Sequence, residues 1–169
     1  MPATTPSADA LIEALELTEH VEGGYFRRTY QADHRPTVAT DGGERYLMTS
    51  IHYLLTQASP VGHFHCNRSD IVHYFHLGDP IRYYLLMPDG RLEIVDMGAD
   101  VVAGQRLQLT VPGGVWKASR LLDGPCGYGL ISEAVSPGFD YADMRLGDRT
   151  GLVEAFPQHE AVIRDLARG

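Results

Sequence analysis

Four of the eight histidines of this chain fall within fourteen residues: His63, His65, His73 and His76, in the run Gly62-His-Phe-His-Cys-Asn-Arg-Ser-Asp-Ile-Val-His-Tyr-Phe-His-Leu-Gly78. On an extended strand, residues i and i+2 share a face. His63 and His65 would then project together, at about the spacing two imidazoles need to grip one metal ion. Asp70 follows five residues after His65, and His73 three after that. Neutral imidazole suits Fe, Ni, Zn, Cu or Mn, so the pair implies a divalent transition metal without identifying it. The third ligand has two candidates. Asp70 would complete a two-His-one-carboxylate set, the non-haem iron arrangement, although Ser69-Asp70 also reads as a turn in which Asp bonds its own backbone. His73 would complete a three-His set if its strand is regular. His76 lies on the opposite face from His73 and reads as outward.

Two further polar residues interrupt apolar strands. Glu133 shares a face with Ile131 and Val135. A buried carboxylate needs a partner or a raised pKa, so Glu133 is either a catalytic acid/base or half of an ion pair with Arg27, Arg28 or Arg82. Lys117 follows the turn Pro112-Gly113-Gly114. It is either an exposed lysine beside Trp116 or a desolvated acid/base or anion anchor. Tyr74 and Tyr53 are the best-placed hydroxyls, Tyr74 as a catalytic candidate. Tyr53, Tyr25, Trp116 and His52 are candidates for the substrate-pocket wall. Cys66 alternates with His65 and reads as inert. There is no phosphate-cradling glycine loop and no Gly-x-Ser-x-Gly nucleophile.

The elements that must position these residues are short strands. Candidates run from Tyr46 to Val135. Ile81–Met87 pairs naturally with Leu92–Asp96 through Pro88-Asp89-Gly90. Leu107, Leu109 and Val111 alternate with Arg106, Gln108 and Thr110. Strands at this spacing argue for an all-β sandwich or barrel. A helix capped by Ser7, with Leu11, Ile12 and Leu15 at helical spacing, precedes them. Glu22-Gly23-Gly24 breaks it, and Tyr25–Tyr30 reads as the first strand. Residues 31–44 read as an exposed loop, residues 1–6 as a disordered lead, and Gln158–Arg168 as a closing helix, making 7–169 one domain.

Bulk properties narrow the partners. Hydrophobic residues make up 44% and charged residues 21% of the 169, with a net charge of −8. Nucleic acid and anionic membrane want a basic face, so neither is expected. No apolar run approaches the roughly 20 residues of a membrane span. Two cysteines and no leader-like N-terminus give a cytoplasmic setting as the expectation.

Together these motifs resemble the cupin superfamily. Its first motif reads here as Gly62, His63, His65, Asp70 and Gly78; its second as Gly104 and Pro112-Gly113-Gly114, with Lys117 where a His ligand stands. A narrower resemblance is to a branch of small single-domain cupins known as a domain of unknown function. It rests on Glu22-Gly23-Gly24-Tyr25-Phe26-Arg27, Gly78-Asp79-Pro80, Val111-Pro112-Gly113-Gly114-Val115-Trp116 and Pro137-Gly138-Phe139-Asp140. Against that branch, Ile71 stands for a Glu, Tyr74 for a His, and His63 is an addition.

The resemblance implies a double-stranded β-helix, or jelly-roll barrel, with short terminal helices. It also implies a homodimer exchanging the strand Tyr25–Tyr30. The expected activity is a metal-dependent enzyme on a small oxygenated molecule, of isomerase, epimerase or lyase type, with Glu133, Tyr74 or Lys117 moving a proton. Iron-dependent oxygenation, binding without turnover, and a metal-free acid–base isomerase using His65 and a Tyr stand as alternatives.

Overall fold

The computed structural model describes residues 5–169. Residues 1–4 of the expected lead lie outside the described residues. Ser7 caps the first helix α1 (Ala8–Ala14), its hydroxyl accepting the Ala10 N–H at 3.2 Å. The strands follow as β1 (Thr18–Glu19), β2 (Tyr25–Gln31), β3 (Val38–Thr40), β4 (Gly43–Arg45), β5 (Thr49–Thr56), β6 (Val61–Asn67), β7 (Asp70–Gly78), β8 (Ile81–Leu86), β9 (Leu92–Met97), β10 (Gln108–Val111), β11 (Trp116–Leu121), β12 (Tyr128–Ser136) and β13 (Met144–Leu146). The helices α2 (Arg149–Ala155) and α3 (Glu160–Leu166) close the chain. Among the described residues no helix is long and apolar enough to cross a membrane.

Two antiparallel sheets face each other: β1-β2-β5-β12-β7-β10 and β13-β6-β11-β8-β9. This is the jelly-roll sandwich that the strand spacing and the resemblance imply. The inner faces alternate as period-2 patterning demands. Tyr53, Leu55, Phe75, Ile81, Tyr83, Leu85, Met97, Leu109 and Ile131 meet in one core between the sheets. The other side of β6 and β11 is apolar too: Phe64 and Ala118 pack under Leu152, Ile163 and Leu166 of the C-terminal helices. Helix α1 lays Leu11 and Ile12 over Leu54, Tyr128 and Leu130 on the outer face of the larger sheet.

Several local expectations shift. The segment read as a loop over 31–44 carries the β3–β4 hairpin. Helix α2 went unread in the sequence, though Asp148 caps it by accepting the Thr150 and Gly151 N–H groups. Leu107 alternates correctly with Leu109 but precedes β10 and is half exposed, at 51%. Strand β2 pairs antiparallel with β5.

Candidate functional site

Two cross-strand pairs point into the sandwich from opposite sheets. In the smaller sheet, His65 on β6 stands opposite Lys117 on β11. In the larger, His73 on β7 stands opposite Glu133 on β12. All four are buried. Lys117 reaches across the sandwich: its ammonium donates to His73 Nε2 and, at 3.3 Å, to Glu133 Oε1. The ion-pair partner of Glu133 is therefore Lys117. The arginines considered from sequence are committed elsewhere: Arg82 to Asp96 at 2.7 Å, Arg27 to Glu16 at 2.9 Å, and Arg28 to the Phe139 carbonyl at 2.9 Å.

Hydrogen-bond accounting assigns the protonation of this cluster. His73 Nδ1 donates to the Leu109 carbonyl at 3.1 Å, so Nε2 is the lone pair that receives the Lys117 proton. Burial, then the Lys117 charge, pushes the imidazole pKa down against the pull of Glu133, keeping His73 neutral. The 3.3 Å between His73 Nε2 and Glu133 Oε1 is then two acceptors converging on one ammonium. Burial alone would raise the Glu133 carboxyl; the Lys117 charge outweighs it and holds it well below the usual carboxylate range.

The second cluster contains two residues that sequence reasoning did not place in the site, His20 and Glu22. Glu22 Oε2 lies 2.9 Å from His65 Nε2. The Glu22-Gly23-Gly24 run, read from sequence as a helix breaker, is what brings it there. Gly23 has φ +101°, and a Cβ on it would stand 2.1 Å from the Val61 carbonyl oxygen; Gly24 has φ +72° and would meet the Leu54 carbonyl at 2.8 Å. Only glycine fits such a left-handed turn at this close approach. The turn is tied down by Tyr53 Oη donating to Gly23 O (2.8 Å), Gly24 N donating to Ser59 Oγ (2.9 Å) and His63 N donating to Glu22 O (2.7 Å). The sequence signal was an acid immediately before a double glycine and two aromatics.

His65 Nδ1 donates to the His63 carbonyl at 2.8 Å. Its Nε2 and Glu22 Oε2 therefore share one proton. Burial would lift the Glu22 carboxyl, but the charge and hydrogen bond of His65 bring it below its ordinary value. His20 Nδ1 accepts the Glu22 N–H at 3.1 Å, and burial lowers its pKa, so this ring is neutral. Tyr83, on β8, stacks edge-on to His73 at 5.1 Å; its buried hydroxyl has no hydrogen-bond partner among the described residues. Burial, then Glu133 and Glu22, raises its pKa well above the usual phenol value.

His20, Glu22, His65 and Glu133 border a cavity of about 320 Å³, lined also by Asn67 and, toward its mouth, by Phe26, Arg28, Phe139, Asp140 and Tyr141. Of the residues singled out from sequence, His65 and Glu133 line it, with Lys117 and His73 bonded behind Glu133. Tyr53 is buried beneath it with its hydroxyl committed to Gly23.

The remaining candidates fall elsewhere. His63 turns its ring to the C-terminal segment, Nδ1 donating to Leu166 O at 3.1 Å. Asp70 is exposed at the start of β7 and accepts the Gly113 N–H at 2.8 Å. Tyr74 alternates with the inward His73 and so faces the outer side of the sheet. His52 is outside too, its ring 6.1 Å from that of His76. Trp116 packs with the C-terminal helices under Arg145, and Tyr25 packs with α1.

The metal expectation needs correction on the same geometry. His63, His65, Asp70 and His73 do not share a centre, and His73 Nε2 is taken by an ammonium. Among the described residues no three His, Cys, Asp or Glu side chains are arranged to hold a metal ion. The donor set does not fit, and no step below runs through a metal.

Comparison with known proteins agrees with the architecture. The sequence pattern of the Cupin superfamily (DUF985) matches residues 9–147. The uncharacterized protein YML079W of Saccharomyces cerevisiae is 40% identical over 155 residues, 85% of this chain and 76% of that protein. A hypothetical protein from Leishmania major superposes with a TM-score of 0.89 at 37% identity, covering 97% of this chain and all of that one. Oxalate decarboxylase of Bacillus subtilis superposes at 0.55 with 15% identity over 88% of this chain and 36% of its own, a likeness of fold.

Proposed function

We propose that this chain, which belongs to the DUF985 branch of the cupin superfamily and brings Glu22 and His65 into contact in its barrel interior, is an acid–base enzyme of isomerase, epimerase or lyase type. Its substrate is a small oxygenated molecule. The observation that carries this is the 2.9 Å contact between Glu22 Oε2 and His65 Nε2 at the cavity wall. With His65 Nδ1 held by a carbonyl, one proton moves along that contact. Its transfer from imidazolium to carboxylate turns Glu22 into a neutral acid with no change in the net charge of the pair. Glu22 thus has a proton reservoir behind it. It accepts a proton from carbon as the carboxylate, and gives one to oxygen as the acid.

The rest of the interior supports the charge that such a step develops. A substrate oxygen that becomes anionic needs preorganised donors in a dry site. The Lys117 ammonium, shared between His73 and Glu133, supplies the positive field and keeps Glu133 ionised at the cavity wall. Substitution of the second-motif His by Lys117 thus replaces a metal ligand with a fixed cation.

The test is proton exchange. A panel of small hydroxy-carbonyl compounds is incubated in D2O with the protein, and deuterium at carbon beside the carbonyl is followed by NMR. Exchange is expected for at least one compound, to fall about 10²-fold or more in Glu22→Gln and His65→Asn, and to be indifferent to chelator. Exchange that survives both substitutions, or that depends on an added metal ion, would overturn the reading.

A further inference from the structure

The mouth of the cavity holds recognition chemistry that proton transfer does not use. The segment 137–143 is fastened to the barrel at four points. Gly138 N donates to Tyr46 O at 2.7 Å and Phe139 N to Thr49 Oγ1 at 2.9 Å. The Phe139 carbonyl accepts from Arg28 Nη2 at 2.9 Å, and Asp143 receives Arg45 in a two-bond fork at 2.7 and 3.0 Å. The rim is therefore built and held. It carries an aromatic wall: Tyr141 meets Phe139 edge-on at 5.0 Å and lies 6.4 Å from His20, which in turn contacts Phe26 at 4.4 Å. Tyr141 is 54% exposed although packed on its neighbours, so one ring surface remains open.

On this wall one polar atom lacks a hydrogen-bond partner and one cation lacks a carboxylate among the described residues. Asn67 is 92% buried by its 8% exposure and lines the cavity, and its Oδ1 has no hydrogen-bond partner among the described residues. Arg28 donates to the Phe139 carbonyl and, at 3.4 Å, to Gln31 Oε1, yet no carboxylate of the described residues comes within ion-pair distance of it. The rim's other charge, Asp140, has a structural role: its Oδ1 caps the following turn by accepting the Ala142 N–H at 2.8 Å. Deeper in, the carboxylates Glu22 and Glu133 are matched by His65 and Lys117. The cation left over is Arg28, and a planar guanidinium recognises anionic oxygens in a two-bond fork.

We propose that the pocket takes a small ring compound bearing an anionic oxygen group. The ring lies against Tyr141 and Phe139, the carboxylate or phosphate meets Arg28, and a hydroxyl or N–H of the ring donates to Asn67 Oδ1. The cavity of about 320 Å³ sits at the small end of the ~300–1,000 Å³ that small-molecule sites span. This rests on the acid–base reading only for which end of the ligand reacts; the binding site stands on the rim residues.

Titration of the full chain by calorimetry or heteronuclear NMR with benzoate, phenyl phosphate, benzamide and acetate tests it. Benzoate or phenyl phosphate is expected to bind about tenfold or more tightly than benzamide, its uncharged analogue, and more tightly than acetate. Arg28→Gln is expected to erase the preference for charge. Tyr141→Ala should erase the preference for the ring. Asp140→Asn, which keeps the cap, should tighten anion binding. The proposal is overturned if benzamide matches both anions, if Arg28→Gln keeps the charge preference, or if none of the four saturates. Such a failure with deuterium exchange intact removes the ligand class and leaves the Glu22–His65 chemistry; ring-anion binding without exchange does the reverse.

Discussion

Replacing Lys117 by Met removes the ammonium that serves His73 and Glu133 at once. Two acceptors that converged on it, 3.3 Å apart, are left facing each other in a fully buried setting. Breaking a buried pair from one side costs about 3–5 kcal/mol, because the remaining charge has no compensation. At pH 8 that full cost is expected. It should not be constant with pH. In the native protein the folded pKa of His73 is depressed, so its contribution to stability is complete above the ordinary histidine value of 6.5 and is lost as pH falls below it.

Without Lys117 the sign reverses. A proton on His73 Nε2 would bond Glu133 while Nδ1 keeps Leu109, so the folded pKa rises above 6.5. That contribution is fully present below pH 6.5 and lost as pH rises through the new value. The stability gap between native protein and Lys117→Met should therefore narrow on acidification, by at most about 1.4 kcal/mol per pH unit for each proton linked. Urea unfolding at pH 8, 7 and 6 measures it. The variant Lys117→Met/Glu133→Gln, which removes both charges, should recover to within about 1–2 kcal/mol of the native protein and serves if the single variant does not fold. A penalty below about 1 kcal/mol at pH 8, or one that is flat with pH, refutes the assignment of a single shared ammonium.

Two further outcomes follow from the same geometry. Tyr83→Phe removes a buried hydroxyl without a partner among the described residues, so urea unfolding should show stability unchanged or raised by roughly 1 kcal/mol; a loss of stability would show that the hydroxyl is bonded. Gly23→Ala should cost more than Gly104→Ala: both carry positive φ, worth about 1–2 kcal/mol, but only Gly23 also drives a Cβ into the Val61 carbonyl, whereas Gly104 has nothing within 4 Å. The two melting curves should separate clearly, and exchange should be lost in Gly23→Ala alone.

Much of this protein is decided by the sequence without reference to tertiary contacts. Period-2 alternation in β12 and β7 points Glu133 and His73 the same way as Ile131 and Phe75, and burial of those neighbours carries the polar pair inside. Pro88-Asp89-Gly90 and Pro112-Gly113-Gly114 mark their turns by backbone preference alone. The inward position of Lys117 was open in the sequence because the choice between core and surface depends on which sheet faces it.

What only the tertiary structure decided is which polar groups meet. His63 and His65 are two residues apart, yet one serves the Leu166 carbonyl and the other Glu22, because the C-terminal segment and the Gly23-Gly24 turn arrive from distant parts of the chain. Lys117 finds Glu133 across the space between two sheets, a distance that spacing along the chain does not encode. Periodicity fixes a side chain's direction, whereas its partner is fixed by the packing of sheets, turns and termini against one another. For that reason the histidine run marked the barrel, while the acid that completes its site, Glu22, stood forty residues away in what read as a helix breaker.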